Sequence, residues 1–398
     1  MGVIDRLEGQ RILIWGYGRE GQSTRQFLKR CVRPAKVDVF EGSKEDIDDS
    51  EYDLVIKSPG IRMDEDDPKY TSQTELFLEE YRDQVIGITG TKGKSTTSSM
   101  LNHVLTCVHP GKTILLGNIG EPCLNYFDEI TPDTLIVFEM SCHQLAHVRV
   151  SPHIAVFLNL HEEHLDYYDT LENYFAAKKH IAEYQTHGDY LLIGEDVPDI
   201  QTGAGVIRMP YDIKEDFGLR ILGKHNACNA NFVITVACDI LGYDRAKAVE
   251  SLHDFKGLPH RLEHVATVAG VDFYDDSIST IPEATIQAIR SIPNTRTVLI
   301  GGMDRNIDYD ILIDFMQHNS QYDYILSYKS GQRIYESVRE LKNCHYVPDL
   351  KEAVGLAAKI TPQGCACVLS PAAASYGYFR NFEERGDTFQ ELVLALQA

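Results

Sequence analysis

The chain has 398 residues, 43% hydrophobic and 24% charged, a composition able to bury sizeable cores over a length that exceeds one ordinary domain. Its net charge of −21, from 59 acidic and 38 basic residues, argues against a nucleic-acid or anionic-membrane partner, because phosphate backbones demand basic surface. Positive charge for a phosphorylated ligand must then be concentrated in loops and helix N-termini. No charged-then-apolar leader opens the sequence, and no apolar run reaches the roughly 18 residues of a membrane span. Nine scattered cysteines fit reduced thiols, with Cys365 and Cys367 expected as buried strand thiols. A cytoplasmic monomer acting on small-molecule substrates is the expectation.

Arg11–Trp15 reads as a buried strand, followed by the turn Gly16-Tyr17-Gly18-Arg19-Glu20-Gly21 and a helix to about Arg30. Strands are expected at Lys36–Phe40, ending at Glu41, and at Asp53–Ile56, ending at Ser58-Pro59-Gly60. The acid-rich stretch Asp64–Asp67 and a helical segment Glu75–Arg82 close this first unit near residue 84. Strands alternating with helices, each ending in a Gly- or Pro-rich loop, predict a parallel sheet with its ligand site at the strand C-termini.

A second unit, 85–257, begins with a strand at Val85 and the segment Gly87 to Thr97. Glycines there let backbone N–H groups crowd round anionic oxygens, and the following helix N-terminus adds partial positive charge. Gly90, Thr91, Lys92, Gly93, Lys94, Ser95 and Thr96 form the cradle, with Lys94 to reach terminal phosphates and Ser95 to ligate magnesium. The strict pattern wants a glycine at 88, where Ile88 stands, so this is a variant phosphate loop. Later strands are expected at Leu135–Phe138, ending at Glu139, and at Ile154–Leu158, ending at Asn159; helices are expected over Tyr174–Tyr184 and Asn226–Leu241. A third unit, 258–398, has strands at Val271–Tyr274, Thr297–Ile300, Tyr324–Leu326 and Cys367–Leu369. The fold class predicted is three consecutive α/β domains, Rossmann-like, phosphate-loop ATPase and Rossmann-like.

The first glycine triplet, with Glu41 about twenty positions on, fits a dinucleotide fingerprint and alone suggests NAD. Any βαβ unit that holds a nucleotide diphosphate can use the same turn, and a triphosphate loop follows, so a non-redox nucleotide is favoured. An NAD-dependent dehydrogenase is the alternative from another class. Glu139, a carboxylate at a strand end, suits a magnesium site with Ser95. His161 and His164 are three apart, and His143 and His147 lack the intervening glutamate, so a zinc hydrolase is disfavoured.

Together these residues resemble the Mur ligase family, the ATP-dependent amide-forming enzymes of peptidoglycan precursor synthesis. The segments that carry the likeness are 90–96, 117–120, 139–145, 162–166, 176–178, 225–229 and 257–261, in the family's order, and the variant phosphate loop is the family's form. The tail at 369–375 and 381–386 resembles the D-glutamate-adding branch. The resemblance implies that ATP phosphorylates the alanyl carboxylate of UDP-N-acetylmuramoyl-L-alanine and that the glutamate amine attacks the acyl phosphate. It implies two magnesium sites, Ser95 with Glu139 and His164 with Lys178, the lysine carbamylated because an ammonium cannot bind a cation. Lys94, His164 and Lys178 are then catalytic. Asn226 and Asn229 match adenine-side positions, and Arg261 and Asp276 those that meet the ATP phosphates and ribose. Gly18, Arg19, Ser58, Gly60, Asn118, Ser141 and Gln144, with His164, are implied for the UDP-sugar. Thr280, Arg305, Ser375 and Phe382 are implied for glutamate, Arg305 standing where lysine is common.

Ile278 stands where many relatives carry lysine, and Gly42-Ser43 where they often carry threonine and arginine. Glu20 lies in the turn expected to face a pyrophosphate, which is unfavourable unless it points away. The interval from Lys178 to His225 is short for the family. An L-glutamate-adding ligase remains open, since stereochemistry is not legible in these motifs; a folylpolyglutamate synthase is disfavoured by the glycine-triplet unit, and a catalytically dead nucleotide-binding regulator by the intact Lys94, Ser95, Glu139, His164 and Lys178. Domain closure is expected, to exclude water from the acyl phosphate.

Overall fold

The computed structural model describes residues 2–63, 67–223 and 225–397. Asp64, Glu65 and Asp66 of the acid-rich stretch lie outside the described residues. By internal contacts the chain forms two compact units, Met1–Gly218 with His225–Phe255, and Leu219–Lys224 with Lys256–Ala398.

The first unit holds two sheets. A four-stranded sheet runs Lys36–Phe40, Arg11–Trp15, Leu54–Lys57, Tyr70–Thr71, every neighbouring pair parallel. A six-stranded parallel sheet runs Gly205–Met209, Tyr190–Gly194, Ile154–Phe157, Val85–Thr89, Leu135–Glu139, Thr113–Gly117. Val85–Thr89, buried at every position, sits between Ile154–Phe157 and Leu135–Glu139. A continuous run of apolar residues is what a strand covered on both faces requires. Ile88 is part of that run, fully buried. The helix Gln73–Tyr81, started by the Ser72 side chain accepting from the Glu75 amide, carries Phe77 into the aromatic core. The Phe77 ring lies 6.4 Å from Phe127 and 5.9 Å from Phe138. One apolar core thus spans from Ile12 and Phe27 beneath the first sheet to Phe138 and Phe157 in the second.

The second unit holds a six-stranded sheet in the order Glu263–Val268, Val271–Asp275, Ala366–Leu369, Thr295–Gly301, Asp323–Ser327, Cys344–Val347. Its first pair is antiparallel and the rest are parallel. Apolar layers lie on both faces, one built on Val298, Ile300 and Leu326, the other on Phe273, Leu299 and Phe389.

Three expectations are amended. The helix expected over Asn226–Leu241 is α-helical only from His225 to Ile234 and continues as a π-helical turn, Thr235–Ile240. Cys367 is a fully buried strand thiol, but Cys365 precedes the strand Ala366–Leu369 and is half-buried. The strands Thr113–Gly117, Tyr190–Gly194, Gly205–Met209, Glu263–Val268 and Cys344–Val347 are additional to those the sequence pattern marks. No described helix is long and apolar enough to cross a membrane.

Candidate active site

Parallel strands bring all their C-terminal ends to one edge, and in the central sheet that edge carries the phosphate loop, Asn118, Glu139–Ser141 and Asn159. The loop turns at Gly93, whose φ of +84° only glycine adopts without strain, and the helix Lys94–Val108 starts there. Asn159, which the sequence marks only as a strand end, clamps the loop. Its Oδ1 accepts from the Lys92 amide at 2.9 Å, its Nδ2 donates to the Lys92 carbonyl at 3.0 Å, and its own carbonyl accepts from the Thr91 amide at 3.0 Å. Lys94 Nζ rests on the loop's own carbonyls, donating to Gly90 at 3.0 Å and Thr91 at 2.9 Å. Burial holds its pKa below the ordinary lysine value, with Glu139 and Glu163 pulling the other way. Ser95 and Thr96 occupy the first turn of the helix, half-buried.

Glu139 ends its strand fully buried. One carboxylate oxygen accepts from Asn118 Nδ2 at 2.8 Å, while the other is buried without a hydrogen-bond partner. A buried carboxylate oxygen left bare is costly, and a hard cation is the partner that suits it. Lys178, on the helix Leu171–Glu183, is 1% exposed and reaches the same edge. Its Nζ donates to Thr89 Oγ1 at 3.2 Å and to the Gly90 carbonyl at 2.9 Å, and lies 4.8 Å from the Tyr174 ring centroid. Burial, then the charge of Lys94, pushes its pKa down to about 7. A lysine that sequence alone would place on a solvated helix face is here a buried amine with a neutral form accessible near neutral pH. His164 sits in the left-handed region (φ 56°) at the start of the short helix Leu165–Tyr168 and is exposed. Its ring lies 5.3 Å from His143 and 6.1 Å from Tyr174. His143, whose pKa burial lowers, is disfavoured as a zinc ligand by the missing glutamate between it and His147, yet packs directly against His164.

Most residues expected for the UDP-sugar do converge. Arg19, Glu20, Pro59, Gly60, Asn118, Ser141, His143 and Gln144 line a cleft of about 320 Å³ between the glycine-triplet turn and the central sheet edge. Arg19 donates to the Gly120 carbonyl at 2.9 Å, tying the turn to the 117–120 loop. Gly18 begins the helix Arg19–Cys31, and the Ser58 hydroxyl is spent on the Gly16 carbonyl at 3.2 Å. Ser141 and Gln144 form a reciprocal capping box. Glu20 does not turn away from the cleft: its Oε1 accepts from Gln144 Nε2 at 2.9 Å, and burial raises its pKa. Asn226 and Asn229, nearly buried, bond to each other at 3.0 Å, and a Cβ at Gly93 would lie 3.0 Å from Asn229 Oδ1.

In the second unit, Asp276, Ser277 and Thr280 follow the strand Val271–Asp275, and Arg305 follows Thr295–Gly301. The Met303 amide donates to the Ala374 carbonyl at 2.7 Å, joining the Arg305 loop to the segment that carries Ser375. Asp276 accepts from the Leu262 amide at 3.3 Å and from Ser370 Oγ at 2.8 Å, and burial pushes its pKa up to about 6. Arg261, next to that amide, and Arg305 are exposed; Ser375 is buried. Phe382 opens the helix Phe382–Ala395, its carbonyl accepting from Ser277 Oγ at 2.8 Å. Arg385 lies in the segment 381–386 that carries the resemblance, which assigns it no role. It is 1% exposed and ties the bundle together, donating to Ser277 Oγ, the Ser277 carbonyl and the Ala373 carbonyl at 2.9, 2.7 and 3.0 Å.

Residues 88–207 match the sequence profile of the Mur ligase middle domain. The UDP-N-acetylmuramoylalanine–D-glutamate ligase of Clostridium kluyveri is 30% identical over 92% of this chain and 88% of its own. The enzyme of the same name from Aquifex aeolicus is 30% identical over 96% of this chain and 98% of its own. Among solved structures, the MurF ligase of Thermotoga maritima in complex with ADP aligns over 99% of this chain and 96% of its own, with a TM-score of 0.58 at 15% identity. The UDP-N-acetylmuramate–alanine ligase of the same organism aligns over 97% and 99%, with a TM-score of 0.57 at 19% identity. These structures share the α/β fold, and the sequence relatives match over most of both lengths: the chain belongs to the Mur ligase family.

Proposed function

We propose that the chain joins D-glutamate to the alanyl carboxylate of UDP-N-acetylmuramoyl-L-alanine, with ATP as the phosphoryl donor, as a cytoplasmic step of peptidoglycan precursor synthesis. The observation that carries this reading is the single sheet edge that gathers the Lys94 loop, a buried Glu139 oxygen without a partner, and Lys178. The family's relatives named as D-glutamate ligases, matched over 88% and 98% of their length, support the amino acid.

In the first step a carboxylate oxygen of the substrate attacks the γ-phosphorus of ATP and ADP leaves. In the second, the glutamate amine attacks the acyl carbon, phosphate leaves, and the nitrogen gives up a proton. Two anions must meet in the first step, so the barrier is largely electrostatic. The amides of the clamped loop 90–96 hold the phosphates, and Lys94 exchanges its contacts with the Gly90 and Thr91 carbonyls for phosphate oxygens. Ser95 and Glu139 would hold one magnesium ion, and His164 with the carbamate of Lys178 a second. When bound, such ions shield the approaching anions and polarise the phosphoryl oxygens. The low pKa of Lys178 suits carbamate formation, since only the neutral amine adds to carbon dioxide, losing a proton as it does so. Arg19, Gly60, Asn118, Ser141 and Gln144, with Gly18 and Ser58 in the adjoining turns, would position the UDP-sugar. Asn226, Asn229, Arg261 and Asp276 would serve ATP, and Thr280, Arg305, Ser375 and Phe382 glutamate, with the Arg305 fork binding a carboxylate bidentately. The division of labour follows residues 1–84, 85–257 and 258–398.

The test is a matrix of phosphate-release assays. Release is expected only with ATP, magnesium, UDP-N-acetylmuramoyl-L-alanine and D-glutamate together. Turnover with L-glutamate in place of the D-isomer moves the reading to the L-glutamate-adding variant, and NADH retention without any response to UDP-sugars would sink it.

A further inference from the structure

Glu20 is the residue of the cleft with least apparent business there, an acid in a turn that faces a pyrophosphate in nucleotide-binding folds. Its surroundings give it a purpose. Gln144 Oε1 is fixed from one side, accepting from the Ser141 amide at 2.9 Å and from Ser141 Oγ at 3.1 Å. A backbone N–H can only donate, so the carboxamide oxygen must face Ser141 and the NH₂ must face away. On that far side Glu20 Oε1 accepts one of the two Nε2 protons at 2.9 Å. Lys57, buried behind the cleft with its Nζ on the Ile61 carbonyl at 3.1 Å, supports the negative charge electrostatically. Gln144 is thereby held at both ends, 5% exposed, with a second Nε2 proton that no described protein atom accepts. Ser141 Oγ is committed too, donating to Gln144 Oε1 and accepting from the Gln144 amide at 3.2 Å.

We infer that Glu20 is a positioning residue for the UDP-sugar: it locks the Gln144 carboxamide so that its remaining N–H is presented to an acceptor oxygen of the ligand in the cleft. The inference rests on the reading of this cleft as the UDP-sugar site. The turn itself is anchored independently, by Arg19 on the Gly120 carbonyl and by the Gly16 amide donating to the Phe40 carbonyl at 2.8 Å, so removal of Glu20 leaves the turn in place.

The experiment is titration calorimetry of the full chain with UDP-N-acetylmuramoyl-L-alanine in the absence of ATP, with a thermal melt of each variant. Glu20→Ala and Gln144→Ala are each expected to weaken binding about tenfold, the effect of one lost hydrogen bond, and the double variant to be no weaker than Gln144→Ala. The exchanged pair E20Q/Q144E separates positioning from mere bracing. In it the carboxamide introduced at position 20 can donate to the carboxylate introduced at position 144. That carboxylate can still accept from Ser141, so the melt is restored to that of the parent. Position 144 then has no N–H for the ligand, and binding stays about tenfold weak. Should the exchanged pair recover both melt and affinity, the contact is a brace and the inference is wrong. Glu20→Ala binding as tightly as the parent, or the two alanine losses multiplying to about a hundredfold, overturns it equally. If Glu20→Ala does not fold, the exchanged pair alone decides. A parent chain that gives no heat with this UDP-sugar refutes the functional reading and the inference with it, whereas a binding parent with indifferent variants refutes the inference alone.

Discussion

The edge of the central sheet and the loop bundle around His260 use the same kinds of residue to opposite ends. At the central edge, polar groups are left wanting: Glu139 keeps a bare buried oxygen, and Lys94 and Lys178 rest on carbonyls of the phosphate loop. Around His260 the groups satisfy one another. His260 Nδ1 and Asp275 Oδ2 lie 2.7 Å apart, Gln390 bridges Asp275 and Glu263 at 3.0 and 3.1 Å, and Arg385 spends its guanidinium on Ser277 and Ala373. A cluster of His260, Glu263 and Asp275 close enough to hold a metal is thus already occupied by hydrogen bonds. Unmet polar groups mark where a ligand completes the protein, and mutually met ones mark where loops are held in register.

The largest effect that would test this contrast is on turnover. Lys94→Ala is expected to lower ligation by about a thousandfold or more, the scale seen when a charge-stabilising group is removed from a phosphoryl-transfer site. Its melting temperature should stay close to that of the parent, because the loop amides are clamped by Asn159 rather than by Lys94. Activity retained, or stability lost with it, would break the distinction between a ligand-seeking edge and a self-satisfied one.

The two regions also differ in how far the sequence reveals them. The glycine spacing, Lys94 and Ser95 are local, and Val85–Thr89 is a run of apolar character with one placement open to it, so the loop and its strand are legible. Glu139 is legible as a strand-end acid because Leu135–Phe138 is unbroken. Asn159 and Tyr174 are not, because nothing local says that one clamps the loop and the other lies against Lys178. The Glu20–Gln144 contact spans 124 positions and carries no periodic signal. Edge strands such as Gly205–Met209, exposed along most of their length, lack the apolar run that identifies central ones. In the second unit the resemblance points to Phe382 and Ser375, while the bracing role of Arg385, in the same tail segment, is visible only once the strands are placed.

Gly386 gives the next, smaller test. A Cβ there would stand 2.1 Å from His260 Nδ1 and 2.7 Å from Asp275 Oδ2, so the His260–Asp275 pair leaves room for glycine alone. Gly386→Ala is expected to cost about 3 kcal/mol, the upper range for overpacking a filled site, read by urea denaturation. Binding of the UDP-sugar to the remaining folded fraction should be unaltered, since the cleft is lined by residues of the first unit. Free tolerance of alanine would mean that the bundle yields and is not the rigid brace its hydrogen bonds describe.

The smallest effect is the most diagnostic, because it reverses the usual sign. Lys178 has its native pKa pushed down by burial to about 7, against the ordinary lysine value of 10.5 in the unfolded chain. Between those two pH values the unfolded chain binds the extra proton, so native stability rises with pH across that window. Below about pH 7 the ammonium is buried in the native state and its full cost is present. Lys178→Met removes the charge, keeps the bulk, and forfeits hydrogen bonds to Thr89 and Gly90. In buffers freed of carbon dioxide it should therefore be more stable than the parent at about pH 6, by about 1–2 kcal/mol, as when a buried charge gives way to an apolar side chain. The advantage should shrink steadily as pH rises from about 7 toward 10.5, while ligase activity is absent throughout. With ¹³C-bicarbonate added, the parent should gain a carbamate signal that Lys178→Met lacks. A variant less stable than the parent at every pH would mean that Lys178 is held as a structural cation, and the central edge would then resemble the His260 bundle after all.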